Sequence, residues 1–376
     1  MRRLSQTLAG RFDIKRMPWA LLAAACLLSL IGALFITSAE SLSFAKRHVT
    51  FLGIGVGVFF VVAFFDYRHL ASLSVPLYAL GLMSLALLPL LGVRVNNARR
   101  WYDLGPFHAQ PSEPMKYVMV VVLATYFACA SRRERLRDLV VPLLLIAPPM
   151  FLIVGQPDLG SAVLFLPTFF GIAFLACVPV RNLALLVFGG LALAVCAWIT
   201  PGALKDYQKE RLISFIDPER NPNSSASYNA RQATLAVTGG GPTGQGWGQG
   251  MLNRLRRVPE RHTDFIFPVV AEEWGFFRSS AVILLYLLLF VLMGRIAATT
   301  DELFGRLVAG GVFTIFAFQS LLHVAISLRL APITGLTLPL ISYGGSSLVS
   351  TLGGLGLMAS VAMHGQGGFP ALEGRS

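Results

Sequence analysis

The stretch VPERHTDFIFPVVAEEWGF, residues 258–276, gathers charge in a chain that otherwise carries little of it. Asp264 follows His262 and Thr263 and precedes Phe265, Ile266 and Phe267. A carboxylate hemmed in by aromatic side chains loses hydration, which raises its pKa and sharpens it as a general base. The same position suits a helix N-cap, with Asp264 accepting from the first free N–H groups of a helix through FIFPVV. Spacing alone leaves base and cap equally open. Glu272 and Glu273 stand just before an apolar run, where the dipole of an entering helix favours an acid.

Other residues add to this set. Glu113 and Lys116 are three apart at the start of an apolar run, so on a helix they share a face and pair. A charge at membrane depth needs a partner or a cavity, which makes the pair a functional candidate by default, with a purely structural ion pair as the alternative. Arg99, Arg100 and Trp101 place two guanidiniums beside an aromatic ring, and Arg254, Arg256, Arg257 and Arg261 follow in the long loop. Guanidinium suits bidentate phosphate binding, and equally a contact with bulk lipid headgroups. Asp158 is placed to cap a helix that follows it. His323, alone on its run, reads as a packed polar residue. No HExxH, Cys/His cluster or Walker-type loop is present, so neither a metal site nor an ATP-driven pump is indicated.

The elements that must hold these residues are membrane spans. The chain has 376 residues, of which 55% are hydrophobic and 13% charged, about half the charged share of a soluble domain. Its apolar runs are continuous and near 20 residues long, which favours helices over a β-barrel. Ten spans are predicted, at about 17–38, 49–65, 70–92, 112–130, 139–155, 159–179, 182–201, 276–295, 303–329 and 345–364. The first run exceeds a signal-peptide core, and the fifth carries Pro142, Pro148 and Pro149, which predict a kink. Cys26, Cys129, Cys177 and Cys196 all fall in apolar runs and read as small hydrophobes. The net charge of +12 flanks the spans rather than forming a nucleic-acid patch. Arg2, Arg3, Arg11, Lys15, Arg16 and the run 132–137 lie on the N-terminal side. Lys46, Arg47, Arg94, Arg99, Arg100 and Arg329 lie on the other. By the positive-inside rule both termini are cytoplasmic, and the large loop between spans seven and eight is extracytoplasmic.

Three segments on that outer side are unusual. The loop at about 202–275 is long and rich in Gly, Pro, Asn and charge, yet Trp247 and FIFPVV suggest a folded excursion that returns to the bilayer. Residues 92–116 have similar character. Residues 331–347, APITGLTLPLISYGGSS, are too apolar for a free loop and too broken for a helix, and read as re-entrant. Ser342 and Gly344 lie in this last segment.

The motifs ARRWYDLG with QPSEPMK, QPDLGSA, IDPER, GQGWGQG, VPERHTDFIFPVVAEEWG and TGLTLPLISYGGSS occur in one order over nearly the whole chain. In this the chain resembles the SEDS family of polytopic peptidoglycan glycosyltransferases, and its RodA branch more than its FtsW or SpoVE branches. The resemblance implies an all-α protein of the bacterial cytoplasmic (inner) membrane, with one SEDS-type transmembrane domain over residues 1–376. It implies polymerisation of lipid II into glycan strands for elongation and cell shape, by inverting transfer with undecaprenyl pyrophosphate leaving. Asp264 then aligns with the essential acid of the large outer loop, as general base. Glu113 and Lys116 align with a cavity pair, and Arg100 and Trp101 with an outer-loop motif. Arg257, Arg261 and His262 join them in binding substrate, while Asp158, Glu272, Glu273, Ser342 and Gly344 support the site. Implied partners are lipid II, undecaprenyl-pyrophosphate-linked glycan, a class B penicillin-binding protein (a transpeptidase) and membrane lipids, with no nucleic acid. No cofactor is fixed, and a divalent cation, Mg or Mn, would share the pyrophosphate charge. His323 stands where the family usually has Asn, and Arg329 where it has a small residue. The competing functions are a flippase of lipid-linked precursors, which predicts broken helices paired across repeated halves, and an FtsW-like septal glycosyltransferase or scaffold.

Overall fold

The computed structural model describes residues 14–95, 98–105, 107–130, 135–200, 202, 206–217, 224–255 and 260–365. Long apolar helices dominate. They are α1 (Trp19–Ala39), α2 (Leu42–Phe64), α3 (His69–Leu91), α4 (Ser112–Cys129), α5 (Val140–Gly155), α6 (Leu159–Val163), α7 (Phe165–Leu175) and α8 (Val180–Ile199). After them come α9 (Asp206–Ile216), α10 (Ser225–Gly239), α11 (Met251–Arg254), α12 (Ile266–Thr299), α13 (Leu303–Ser327) and α14 (Gly345–His364). Eight stretches among the described residues are long and apolar enough to cross a membrane. Helix α4 and the pair α6–α7 bring the spans to the ten the sequence predicts. Glu113 and Lys116 lower the hydropathy of α4, and the sixth span breaks at Leu164 into two short pieces. The fifth helix is continuous across Pro148 and Pro149.

Helix α14 packs most extensively on α2, and α13 sits centrally against α4, α7, α12 and α14. One cluster of buried side chains runs through the bundle, from Leu21 and Phe35 on α1 to Met358 and Val361 on α14. Helix α8 lies at the edge and leaves Leu185, Phe188, Leu193 and Ile199 exposed, as a lipid-facing helix does.

The chain is not purely helical. Between α3 and α4, β1 (Val93–Val95), β2 (Ala98–Asp103) and β3 (His108–Ala109) form a three-stranded antiparallel sheet in the order β1-β2-β3. Val93 and Val95 of β1 and Trp101 and Tyr102 of β2 supply the β-branched and aromatic residues that such strands favour.

The large loop is folded as well. It contains α9, α10 and α11, and its Gly-rich turn locks onto a break in α12. Gly275 has φ 71° and ψ −174° within that helix, and Gly244 has φ 85°. A β-carbon on Gly275 would stand 2.1 Å from Gly244 N, and one on Gly244 would stand 2.2 Å from Glu273 O, so no larger residue fits either position. Gln245 and Gly246 donate backbone N–H bonds to the Glu272 and Glu273 carbonyls, and Phe276 N donates to Gly241 O. The loop thereby takes up backbone groups that the break would leave unpaired.

This break corrects the placement of Glu272 and Glu273. The eighth span begins just past the break, at Phe276 as the sequence predicts, but Glu272 and Glu273 do not enter it; they close the separate helical stretch that runs from Ile266 up to Gly275, 1% and 0% exposed. Glu272 instead caps α11, accepting from Leu252 N (2.7 Å) and Asn253 N (3.2 Å). Glu273 accepts from Ser38 Oγ and from Asn253 Nδ2 (2.8 Å), tying α1 and α11 to α12.

Candidate active site

A cavity of about 580 Å³ opens at one end of the bundle, a size typical of ligand sites. The three unusual segments line it: residues 98–105, 107–108 and 110, the turn from Glu260 to Asp264, and residues 335–337 with 343–347. Arg47 and Phe51 of α2, Glu113 of α4, and Asp158 with Ser161 complete its wall.

Asp264 sits on a turn built by one carbonyl. Glu260, left-handed at φ 44°, accepts at its backbone oxygen from the N–H groups of Thr263, Asp264 and Phe265. Two further bonds fasten the turn to the re-entrant segment. Tyr343 N donates to His262 O (2.8 Å), and Ser342 Oγ donates to Thr263 O (2.6 Å). The N-cap of α12 is Phe265, with no side-chain cap bond, so Asp264 is left facing the cavity. Protein surrounds its carboxyl closely except where the cavity opens. Burial first, then the carboxylates of Glu260 and Asp158, push its pKa up to about 6 against the opposing pull of Arg211 and Arg100. At neutral pH it is mostly ionised and more basic than an ordinary carboxylate.

The wall beside Asp264 is equally constrained. A β-carbon on Gly335 would lie 3.3 Å from Asp264 Oδ2. Arg211 of α9 donates to Thr334 O (3.2 Å). His323 bonds Leu336 O through Nδ1 (2.8 Å); a carbonyl only accepts, so Nδ1 carries the proton. Gln319 donates to Thr337 O (2.9 Å) and accepts from Lys116 Nζ (3.2 Å), and Lys116 Nζ lies 2.8 Å from Glu113 Oε2. The pair on α4 thus reaches the re-entrant segment through one amide, with Glu113 at the cavity surface and Lys116 behind it.

Asp158 is the N-cap of α6, accepting from Ser161 N (3.2 Å) and Ser161 Oγ (2.8 Å), and its Oδ2 also accepts from Gln110 Nε2 (3.0 Å). Gly344 precedes α14 in extended conformation, and Ser342 Oγ accepts from Leu338 N (2.8 Å) while it holds Thr263. Trp101 and His262 both face the cavity. His262 packs edge-on against Phe44, at 5.3 Å between centroids, and burial lowers the pKa of its imidazole.

Two arginines chosen for phosphate binding are occupied otherwise. Arg100 lines the cavity, but it donates through Nε to Gln156 O (2.9 Å) and through Nη2 to Pro157 O. Arg261 does not line the cavity. It is buried behind the turn, bonded to Asn253 O and to Glu40 Oε2, each at 3.2 Å. Arg256 and Arg257 lie outside the described residues. The sequence does not single out Arg211, Glu260 or Gly335 as site residues: Arg211 lies in none of the motifs, and Glu260 and Gly335, although inside VPERHTDFIF and TGLTLPLISYGGSS, reach Asp264 only through the fold.

No group of three or more His, Cys, Asp or Glu side chains among the described residues is arranged to hold a metal ion. A divalent cation held by side chains alone does not fit them. One that arrives with a diphosphate needs only one or two carboxylates besides phosphate oxygens and water, and Glu260 is such a carboxylate at the cavity wall.

The family described as "Cell cycle protein", FtsW/RodA/SpoVE, matches residues 15–367. The chain is 35% identical over 311 residues to "Probable peptidoglycan glycosyltransferase FtsW" of Aliivibrio salmonicida (strain LFI1238), covering 81% of this chain and 76% of that one. It is 32% identical over 327 residues to "Peptidoglycan glycosyltransferase MrdB" of Escherichia coli (strain K12), covering 87% and 88%. A solved structure described as "Structural coordination of polymerization and crosslinking by a peptidoglycan synthase complex" superposes with a TM-score of 0.81 at 34% identity, over 93% of this chain and 97% of that one. Matched by that family over residues 15–367 and by relatives above 30% identity over most of both chains, the chain belongs to the FtsW/RodA/SpoVE family.

Proposed function

We propose that the protein is a peptidoglycan glycosyltransferase of the bacterial cytoplasmic membrane, polymerising lipid II at the cavity that Asp264 faces. The observation that carries this is the Asp264 carboxyl, fixed by the Glu260 turn and raised to about 6, inside a cavity at the end of a membrane bundle. Its relatives named glycosyltransferases support the reaction class.

In the mechanism, Asp264 accepts the proton of the acceptor sugar's 4-hydroxyl as that oxygen attacks the donor's anomeric carbon. The C–O bond to the pyrophosphate breaks with inversion, and the pyrophosphate departs on its lipid with both bonding electrons. A diphosphate leaving group needs no strong general acid, so one carboxylate suffices where glycosidases use two. Positioned bases of this kind contribute about 10²–10⁴-fold. A Mg or Mn ion that entered with the substrate would screen diphosphate charge beside Glu260.

Relatives named FtsW and MrdB match at nearly equal identity, and we assign the elongation role from the RodA-like motifs. The partner would be a class B penicillin-binding protein, a transpeptidase, in keeping with a relative solved in a "peptidoglycan synthase complex". The test is glycan polymerisation from lipid II by purified protein in detergent, where translocation has no meaning. Wild type should yield polymer and Asp264→Asn none. Near-normal polymer from a folded Asn variant would remove Asp264 from the role, and no polymer from wild type would favour the flippase.

A further inference from the structure

A diphosphate entering this cavity meets four carboxylates at the wall, Glu113, Asp158, Glu260 and Asp264. It therefore needs a cation, and most of the basic groups nearby are already engaged. Lys116 is held by Glu113 and Gln319. Arg100 is committed to the Gln156 and Pro157 carbonyls, and Arg261 to Glu40 and Asn253. Arg211 bonds Thr334 O. Arg47 is different. It is exposed, it lines the cavity, and among the described residues no hydrogen bond or ion pair engages its guanidinium.

The fold places Arg47 deliberately. Phe44 and Phe51, three residues before it and four after, share its face of α2. Phe44 packs on Tyr343 (5.0 Å) and His262 (5.3 Å). Phe51 packs on Phe107 (6.0 Å), and a β-carbon on Gly345 would stand 2.7 Å from the Phe51 ring. The helix is thus pinned on both sides of Arg47, once at the Asp264 turn and once at the start of α14. We propose that Arg47 binds the diphosphate of the lipid-linked substrate and sets the enzyme's preference for diphosphate over monophosphate lipids. This rests on the glycosyltransferase function proposed above. A planar guanidinium grips two oxygens of a diphosphate in a way a lone ammonium does not. The N-terminus of α14, at the same cavity wall, adds its dipole to that field.

The experiment compares wild type, Arg47→Gln and Arg47→Lys for binding of a fluorescent polyprenyl diphosphate in detergent, with polyprenyl monophosphate and phosphatidylglycerol as competitors. Lipid II polymerisation is measured in parallel. Arg47→Gln should weaken diphosphate binding about tenfold, the scale of one lost charge-assisted contact, raise KM for lipid II by a similar factor and leave kcat within about threefold. It should also erase the difference between diphosphate and monophosphate, with Arg47→Lys intermediate. Unchanged diphosphate binding in Arg47→Gln overturns the proposal, as does equal competition by phosphatidylglycerol, which would make Arg47 a general headgroup contact. If wild type binds diphosphate through Arg47 yet forms no polymer, the glycosyltransferase function falls and the binding site stands.

Discussion

Gly335 lies directly against Asp264, so close that a β-carbon on it would stand 3.3 Å from the carboxyl Oδ2. Its φ of +76° is left-handed. Alanine there carries both a backbone cost, of about 1 kcal/mol, and a methyl group pressed on the Asp264 carboxyl. We expect Gly335→Ala to lower polymerisation at least about tenfold, since a small misplacement of a reacting group is costly, while thermal unfolding moves only a few degrees. Full activity with a lowered melting temperature would show that this wall does not set the position of Asp264.

The raised pKa of Asp264 gives two readouts with defined signs. As a base it acts when ionised, so kcat/KM should fall on the acid side of about 6, by about tenfold per pH unit. For stability the direction is opposite to that of a salt-bridged acid. The folded state holds this proton more tightly than the unfolded chain, whose Asp titrates near 3.9. The burial penalty is therefore absent below about pH 4 and complete above about pH 6. Asp264→Asn should melt at higher temperature than wild type at pH 8 and match it at pH 4. Equal melting at both values would place the raised pKa in doubt.

The spans were legible because a lipid-facing helix needs a continuous apolar run, and composition shows such runs directly. The pairing of Glu113 with Lys116 was legible from their three-residue spacing. The small sheet was not read, although VRVNNARRWYD sets β-branched and aromatic runs on either side of Asn-Asn; strands of three and six residues carry too little periodicity to stand out. Gly275 is the boundary the sequence suggests, but a further helical stretch from Ile266 precedes it and carries Glu272 and Glu273 in its last turn, and the loop that repairs the break comes from residues 241–246. Arg100 and Arg261 have the right side chain for phosphate, but backbone carbonyls and Glu40 claim them, and no local pattern announces such partners. Whether Asp264 caps α12 depends on which way its carboxyl turns, and the Glu260 turn leaves it at the cavity wall rather than on the helix end.

Orientation across the membrane is open to a chemical test. Ser224 would be an obvious labelling position in the large loop, yet it is buried and accepts from Ser227 N (3.0 Å) as the N-cap of α10. Thr238 is exposed near the other end of that helix and bonds only its own helix backbone. In a background without Cys26, Cys129, Cys177 and Cys196, Thr238→Cys should react with an impermeant thiol reagent in intact spheroplasts. Reaction only after lysis would put the large loop, and Asp264 with it, on the cytoplasmic side.

Lys116 and Glu113 are 2% and 7% exposed, and removing one leaves the other buried and unpaired. Such a loss costs about 3–5 kcal/mol, so Lys116→Met and Glu113→Gln should each destabilise the protein strongly. Lys116→Met should be the worse for activity. It also takes the donor from Gln319 Oε1, and Gln319 is what holds Thr337 in the wall beside Asp264. The exchange Glu113→Lys with Lys116→Glu restores the ion pair but presents a carboxylate to Gln319 Oε1. Melting temperature should therefore recover most of the way while polymerisation does not. If both recover together, the Lys116–Gln319 bond contributes nothing to the site; if each single variant melts like wild type, the pair does not stabilise the fold.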